Sequence, residues 1–158
     1  MEQTTETAGG PGGALKIHPP LLAGALLLGT LILHSLFEYG DVQAHAVLGL
    51  LLTAGGVGLC LFAAALFQAR DTTKNPYGEP AQFVIERPYT FTRNPMYLGL
   101  VLGLLGLAIF FGSLVMLLAP VLFFLVIDRM VIPNEEASME RIFGQRYRDY
   151  KAQVRRWL

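Results

Sequence analysis

The segment YTFTRNPMY, residues 89–97, organises the rest of this chain. It joins a polar, proline-interrupted stretch to an apolar run that is long enough to enter a membrane. Arg93 keeps its proton and presents a planar fork of donors suited to a carboxylate or a phosphate. Pro95 disfavours helical geometry at Asn94 and then fits the first turn of the helix that follows. Taken alone, the segment is typical of an arginine and two tyrosines that flank a membrane helix.

The composition indicates a membrane protein. Of the 158 residues, 53% are hydrophobic and 15% are charged, and the mean hydropathy is +0.47, whereas soluble domains carry about a quarter charged residues. The basic residues border apolar runs and the formal net charge is zero, so nucleic-acid binding has little support. The single cysteine, Cys60, permits no internal disulfide.

Four apolar runs predict an all-α integral membrane fold. We expect a disordered N-terminus over residues 1–15 and one membrane domain over 16–158. The predicted transmembrane helices lie at about 19–37, 46–68, 96–111 and 114–132. In the third run, Gly99, Gly103 and Gly106 share one face, which predicts either a close helix contact or a wall along which a ligand approaches the backbone.

An amphipathic helix is predicted at about 134–156, once Pro133 has loosened the end of the fourth span. Basic side chains flank its apolar face, a pattern typical of a helix on an anionic membrane surface. Eleven of the twelve Lys and Arg residues follow Gln68, so both termini, the polar loop and this helix are expected on the cytoplasmic side. The apolar face comprises Phe143, Tyr147, Tyr150, Val154 and Trp157.

Glu135 and Glu136 form a second polar cluster at the same membrane face as Arg93. Two acids at a bilayer edge are unfavourable unless they are solvated, paired or occupied by a cationic ligand. Plain helix capping explains them as well as a zwitterionic ligand does. Such a ligand would place its carboxylate on Arg93, its ammonium or sulfonium on Glu135 or Glu136, and a planar base on Tyr89 or Tyr97. No glycine-rich loop follows a strand and the three histidines lack metal-site spacing, so neither a Rossmann site nor a metal centre is predicted.

Residues 93–97, followed by the two glutamates and then by Phe143-Gly144, Tyr147, Tyr150 and Val154, resemble the isoprenylcysteine carboxyl methyltransferase / phospholipid methyltransferase family. The resemblance covers about residues 71–157. It implies an integral membrane enzyme that uses S-adenosylmethionine (SAM) and takes its acceptor from the lipid. That acceptor would be a prenylcysteine-like carboxylate, a phospholipid amine or another hydrophobic small molecule.

The same resemblance implies where the cofactor binds. Asn94 stands where the prenylcysteine enzymes have His, and Arg87-Pro88 stands where many relatives have Gly-Pro. Because of these two departures, the resemblance does not identify the methyl acceptor. Arg93 and Glu136 are the residues expected to be essential for catalysis, and any of Glu135, Glu136 or Tyr97 would be able to assist deprotonation of an amine acceptor. The expected cofactor-binding residues are Tyr89, Arg93, Asn94, Pro95, Tyr97, Glu135 and Glu136.

Helical spacing separates the two glutamates. Glu136, Met139 and Phe143 share the apolar side, so Glu136 is expected to be the more sensitive of the pair. Asp128 is expected to orient Arg93, and Arg129 to snorkel or to pair with Asp128.

The competing interpretation is a non-catalytic lipid-binding protein or an accessory subunit of a membrane complex. The small size, the glycine pattern and the amphipathic helix suit it, but it gives no reason for Arg93 and the two glutamates to converge. For the enzyme, the expected partners are the lipophilic acceptor and membrane lipids, without nucleic acid. The sequence predicts no oligomeric state.

Overall fold

The structure is a computed structural model, and it describes residues 17–37, 45–70 and 85–158, apart from the side chain of Arg70. All regular structure in these ranges is helical, which confirms the all-α membrane fold. The disorder predicted for residues 1–15 lies outside the described residues. The elements are α1 Pro19–Phe37, α2 Ala46–Arg70, α3 Pro95–Phe110, a 3-10 turn Val115–Leu117, α4 Leu118–Val126, a π turn Ile127–Val131, α5 Ile132–Phe143 and α6 Gln145–Gln153.

Within the described ranges, three helical segments are long and apolar enough to cross a membrane: Pro19–Phe37, Ala46–Ala69 and Val115–Phe143. The shorter α3 is apolar as well, and its 16 residues cover about 24 Å at the α-helical rise. A buried core joins α3 to α1 and to the third of these segments, through Leu104, Ala23 and Phe123. This packing fixes the N-terminal end of α3, where Arg93 and Asn94 lie, relative to the segment that carries the glutamates.

The sequence predicted that the fourth span ends at Pro133, but in the structure it continues past this residue. Helical structure runs from Val115 to Phe143, and Pro133 lies in the first turn of α5, directly after the π turn. Proline removes one backbone donor and its ring crowds the carbonyl of the preceding turn, and a widened turn accommodates both effects. Asp128, Glu135 and Glu136 therefore lie on one continuous element, which we call the long helix.

The amphipathic helix predicted at about 134–156 is divided into two helices. Gly144 has φ 55° and ψ −126°, a backbone region that favours glycine, and it separates α5 from α6. Tyr147, Tyr150 and Val154 pack together with Phe143 as the periodicity predicted, but they face the protein. Trp157 does not share their face, because α6 ends at Gln153 and the chain continues extended from Val154.

Helices α2 and α3 pack closely along a shared glycine seam. A Cβ atom added to Gly56 would lie 2.5 Å from the backbone nitrogen of Gly103, and one added to Gly99 would lie 2.5 Å from the carbonyl oxygen of Gly56. Thr53 donates a hydrogen bond to the carbonyl of Gly49, at 2.8 Å, on the same side of α2. The glycine face of α3 is therefore a helix contact, one of the two alternatives left open by the sequence.

This packing predicts different outcomes for two adjacent glycines. Gly56→Ala places a methyl group against backbone atoms, so we expect it to destabilise the protein by about 1–3 kcal/mol. Gly55→Ala is the matched control, since a Cβ atom there has nothing within 4 Å and alanine favours the helix by about 1 kcal/mol. Thermal unfolding in detergent measures both, and equal melting temperatures would contradict the packing described here.

Candidate functional site

A cavity of about 380 Å³ lies where α3 begins, bounded by α2, α5 and α6. Every residue that the sequence nominated for the cofactor contributes to its wall: Tyr89, Arg93, Asn94, Pro95, Tyr97, Glu135 and Glu136. Six further wall residues were not among those expected to bind the cofactor: Phe67, Met96, Ser138, Met139, Tyr147 and Tyr150. Of these, Met139 was detectable because its helical spacing puts it on the same side as Glu136, whereas nothing in the sequence distinguishes Phe67 from other apolar residues of its helix.

Arg93 is buried and largely occupied by partners within the protein. Its Nη1 donates to the carbonyls of Lys151, at 2.9 Å, and Val154, at 3.1 Å. Its Nη2 donates to Oε1 of Glu136 at 2.9 Å. The side chain is 9% exposed, and Nε is buried without a hydrogen-bond partner among the described residues. Arg93 therefore connects three elements and retains one unused buried donor.

Glu136 is the acid that the protein neutralises. Both of its oxygens are bound by Arg156, with Nε donating to Oε1 at 3.2 Å and Nη2 to Oε2 at 2.9 Å. Arg93 binds Oε1 as well, and Lys151 Nζ lies 3.5 Å from Oε2. The carboxylate is 8% exposed, so its burial is compensated by three cations.

Asp128 was expected to orient Arg93, but it binds other residues. Its Oδ1 accepts from Arg156 Nη1 at 3.2 Å and from the indole Nε1 of Trp157 at 2.9 Å. The expected pairing with Arg129 is present, at 3.6 Å between Arg129 Nε and Oδ2. Asp128, which lies in the π turn, thus binds the C-terminal residues Arg156 and Trp157.

Glu135 has a different environment from Glu136, although the two are adjacent. It is exposed and contributes to the cavity wall. Its Oε1 accepts a 2.6 Å hydrogen bond from the hydroxyl of Tyr97, which orients the carboxylate. Glu135 is therefore held by a neutral hydrogen-bond donor, whereas its neighbour Glu136 is held by cations.

The tyrosines of the cavity wall are neutral at physiological pH. Burial raises the pKa of Tyr89 to about 12, with a smaller contribution from Cys60. Burial also raises the pKa of Tyr147 to about 12, assisted by the charge of Glu136. The Tyr89 hydroxyl lies 3.3 Å from the carbonyl of Ala63, to which it donates, and Tyr150 donates to the carbonyl of Tyr89 at 2.7 Å. These bonds hold aromatic rings at the cavity rather than phenolate charges.

The phospholipid methyltransferase family model matches residues 44–146, and the chain belongs to that family. Its general class is therefore membrane methyltransferase, and the apolar helices make it a multi-pass membrane protein.

Among individual proteins, this chain is similar to an uncharacterized protein of Haemophilus influenzae (strain ATCC 51907 / DSM 11121 / KW20 / Rd). The two are 44% identical over 63 residues, which is 40% of this chain and 100% of that protein. No solved structure matches.

Proposed function

We propose that this protein transfers a methyl group from SAM to a lipophilic acceptor that enters from the bilayer. The observation that carries the proposal is the lining of the cavity, which combines Arg93, the exposed residue Glu135 and the rings of neutral tyrosines. A volume of about 380 Å³ lies within the range of roughly 300–1,000 Å³ that is usual for small-molecule sites. Membership of the phospholipid methyltransferase family supports the same reaction.

The residues fit a zwitterionic cofactor that also has a planar base. Arg93 would attract the carboxylate through its positive charge. Its Nη atoms are engaged by the protein and its Nε is buried, so a direct hydrogen bond from Nε to the ligand requires a shift of the side chain. Glu135 would support the cationic part, because Glu136 is already neutralised. The rings of Tyr89 and Tyr147 offer apolar faces to the base. When bound, SAM supplies an electrophilic methyl group on a sulfonium sulfur.

The role of the acids depends on the acceptor. A carboxylate acceptor needs no base, whereas a protonated amine must first lose a proton. Glu135 is the group best suited to take that proton, since Tyr97 holds it at the cavity by one neutral hydrogen bond. Phe67 and Met139 contribute apolar surface to the same cavity, which favours exclusion of water from the nucleophile.

Methyl transfer is tested by incubating membranes that contain the protein with radiolabelled SAM, followed by separate extraction of lipids and protein. We expect label in the lipid fraction above that of membranes without the protein. Base-labile label in the protein fraction would instead indicate a carboxylate acceptor on a protein. If neither fraction gains label and purified protein does not bind S-adenosylhomocysteine, the competing interpretation of a non-catalytic lipid-binding or accessory protein is favoured.

The proposed orientation places both chain termini and the C-terminal helices in the cytoplasm. It rests on the distribution of Lys and Arg, which avoids the connection at residues 38–43. In a Cys60→Ser background, we expect Gln43→Cys to react with an impermeant thiol reagent added to intact cells. Arg148→Cys, at an exposed position of α6, should react only after the membrane is permeabilised. The reverse pattern would contradict the orientation.

A further inference from the structure

The last five residues form a strap that lies against one wall of the cavity. Val154 leaves α6 in an extended conformation, with φ −115° and ψ 129°. The backbone nitrogen of Arg93 donates to the carbonyl of Arg155 at 3.0 Å, and Thr92 donates to the carbonyl of Arg156 at 3.1 Å. The Asn94 amide reaches the same Arg156 carbonyl at 3.1 Å. Residues 154–158, the C-terminal strap, are thus hydrogen-bonded to the segment from which α3 begins.

The side chain of Arg156 fastens this strap to the long helix. Nε and Nη2 bind the two oxygens of Glu136, and Nη1 binds Asp128. Three guanidinium nitrogens therefore hold two carboxylates, one from the π turn and one from α5. A lysine at this position supplies one charge but cannot reproduce the planar fork.

Arg156 falls within the amphipathic helix predicted at about 134–156, whose basic side chains were expected to flank the apolar face at the membrane surface, but these contacts give it a different role. Its side chain is 32% exposed, and its hydrogen bond to Glu136 raises its pKa, so the charge stays on the ion pairs. Arg155 is the contrasting neighbour: it is exposed, and its Nη1 donates a long 3.5 Å bond to the carbonyl of Leu158. The side chain of Arg156 binds Glu136 and Asp128, whereas Arg155 is exposed.

We propose that Arg156 is a positioning residue for the cavity, because it holds Glu136 and the C-terminal strap together and so fixes the guanidinium of Arg93. Arg156 controls two of the three acceptors that orient Arg93, the third being the Lys151 carbonyl of α6. One is Oε1 of Glu136, which Arg93 and Arg156 share. The other is the Val154 carbonyl, which belongs to the strap. The inference rests on the proposed function, since the cavity wall that it orders is the proposed cofactor site.

The first test needs no ligand, because Trp157 is the only tryptophan of the chain and lies in the strap. Its indole donates to Asp128 at 2.9 Å, and its ring lies 4.7 Å from that of Phe124 between centroids. We expect Arg156→Gln to increase acrylamide quenching of Trp157 and to shift its emission to longer wavelength. Arg155→Gln, the matched control, should leave both unchanged. Wild-type quenching and emission in Arg156→Gln would overturn the proposal.

The second test measures binding of S-adenosylhomocysteine by calorimetry in detergent, with a melting temperature for each variant. We expect Arg156→Gln to weaken binding more than tenfold, Arg156→Lys to recover part of the loss, and Arg155→Gln to stay within twofold of wild type. A lower melting temperature with unchanged affinity would make Arg156 merely structural and would overturn the proposal. Should Arg156→Gln not fold, Asp128→Asn removes one of its two partners and should weaken binding three- to tenfold, with unchanged affinity counting against the proposal.

The two tests separate this inference from the proposed function. If wild-type protein binds no S-adenosylhomocysteine, the proposed cofactor is wrong, while the quenching of Trp157 still decides whether Arg156 holds the strap. If wild-type protein binds it and Arg156→Gln binds it equally well, the positioning role alone is wrong.

Discussion

Replacement of Arg93 by alanine should abolish detectable binding of S-adenosylhomocysteine and also destabilise the fold. The variant leaves Glu136 with one fewer cation and leaves the carbonyls of Lys151 and Val154 without their donor. Removal of one partner from a buried ion pair typically costs about 3–5 kcal/mol when the remaining charge is left unpaired, and we expect a smaller loss here because Arg156 and Lys151 still pair with Glu136. Arg148→Ala, at an exposed position of α6, is the control and should resemble wild type in both measurements.

Arg93→Lys separates the two effects. Lysine restores a positive charge near Glu136 but has no counterpart of Nε, the donor that is unused within the described structure. We therefore expect stability to recover in part while affinity for S-adenosylhomocysteine stays roughly ten- to a hundred-fold weaker, as for a lost charge-assisted hydrogen bond of about 1.5–3 kcal/mol. Calorimetry and thermal unfolding in detergent measure the two quantities, and wild-type affinity in Arg93→Ala would remove Arg93 from the site.

The convergence of the two polar clusters was predictable from the sequence because it depends on counting spans. Residues 93–97 precede one apolar run and Glu135-Glu136 follow the next, so an antiparallel pair of helices brings them to one membrane face. Helical spacing also placed Glu136 on the buried side, and the carboxylate is indeed buried. What spacing could not show is that the protein itself supplies the cations that surround it.

Local rules failed where tertiary packing overrides them. Proline normally interrupts a helix, yet Pro133 follows a π turn and helical structure continues to Phe143. Such adjustments are tolerated in membrane helices because neighbouring groups satisfy the freed backbone. The periodic pattern of α6 likewise extends past Val154 in the sequence, so Arg156 and Trp157 were assigned to helix faces. The chain leaves the helix there, and their partners Asp128 and Glu136 lie far back along the chain.

Replacing each of the adjacent glutamates by glutamine should lower activity for different reasons, by loss of stability at Glu136 and without it at Glu135. Periodicity alone favoured Glu136 as the more sensitive residue, but the geometry leads to a different expectation. Glu136→Gln removes the negative charge that Arg93, Arg156 and Lys151 share, so we expect a loss of about 3–5 kcal/mol in stability. Its activity should fall chiefly because less protein is folded and the C-terminal strap is released.

Glu135→Gln should instead leave the protein folded and reduce methyl transfer well over tenfold. Glu135 is exposed in the first turn of α5, where a carboxylate contributes a few tenths of a kcal/mol up to about 1 kcal/mol to the helix. Glutamine keeps its shape and can still accept the hydrogen bond of Tyr97, but it provides neither a charge for a cationic ligand nor a proton acceptor. The measurement is methyl transfer to extracted membrane lipid, alongside the melting temperature of each variant.

Tyr97→Phe tests whether Glu135 acts through its charge alone or through the orientation that Tyr97 gives it. The 2.6 Å bond between them predicts that the single variants and the double variant are not additive, because each single change already disrupts the same pair. We expect Tyr97→Phe to lower methyl transfer severalfold in the presence of Glu135 and to have little further effect in Glu135→Gln. Full activity in Glu135→Gln at an unchanged melting temperature would mean that Glu135 acts only as a helix cap. A proton acceptor would then have to be sought elsewhere in the cavity, or the acceptor would be a carboxylate that needs none.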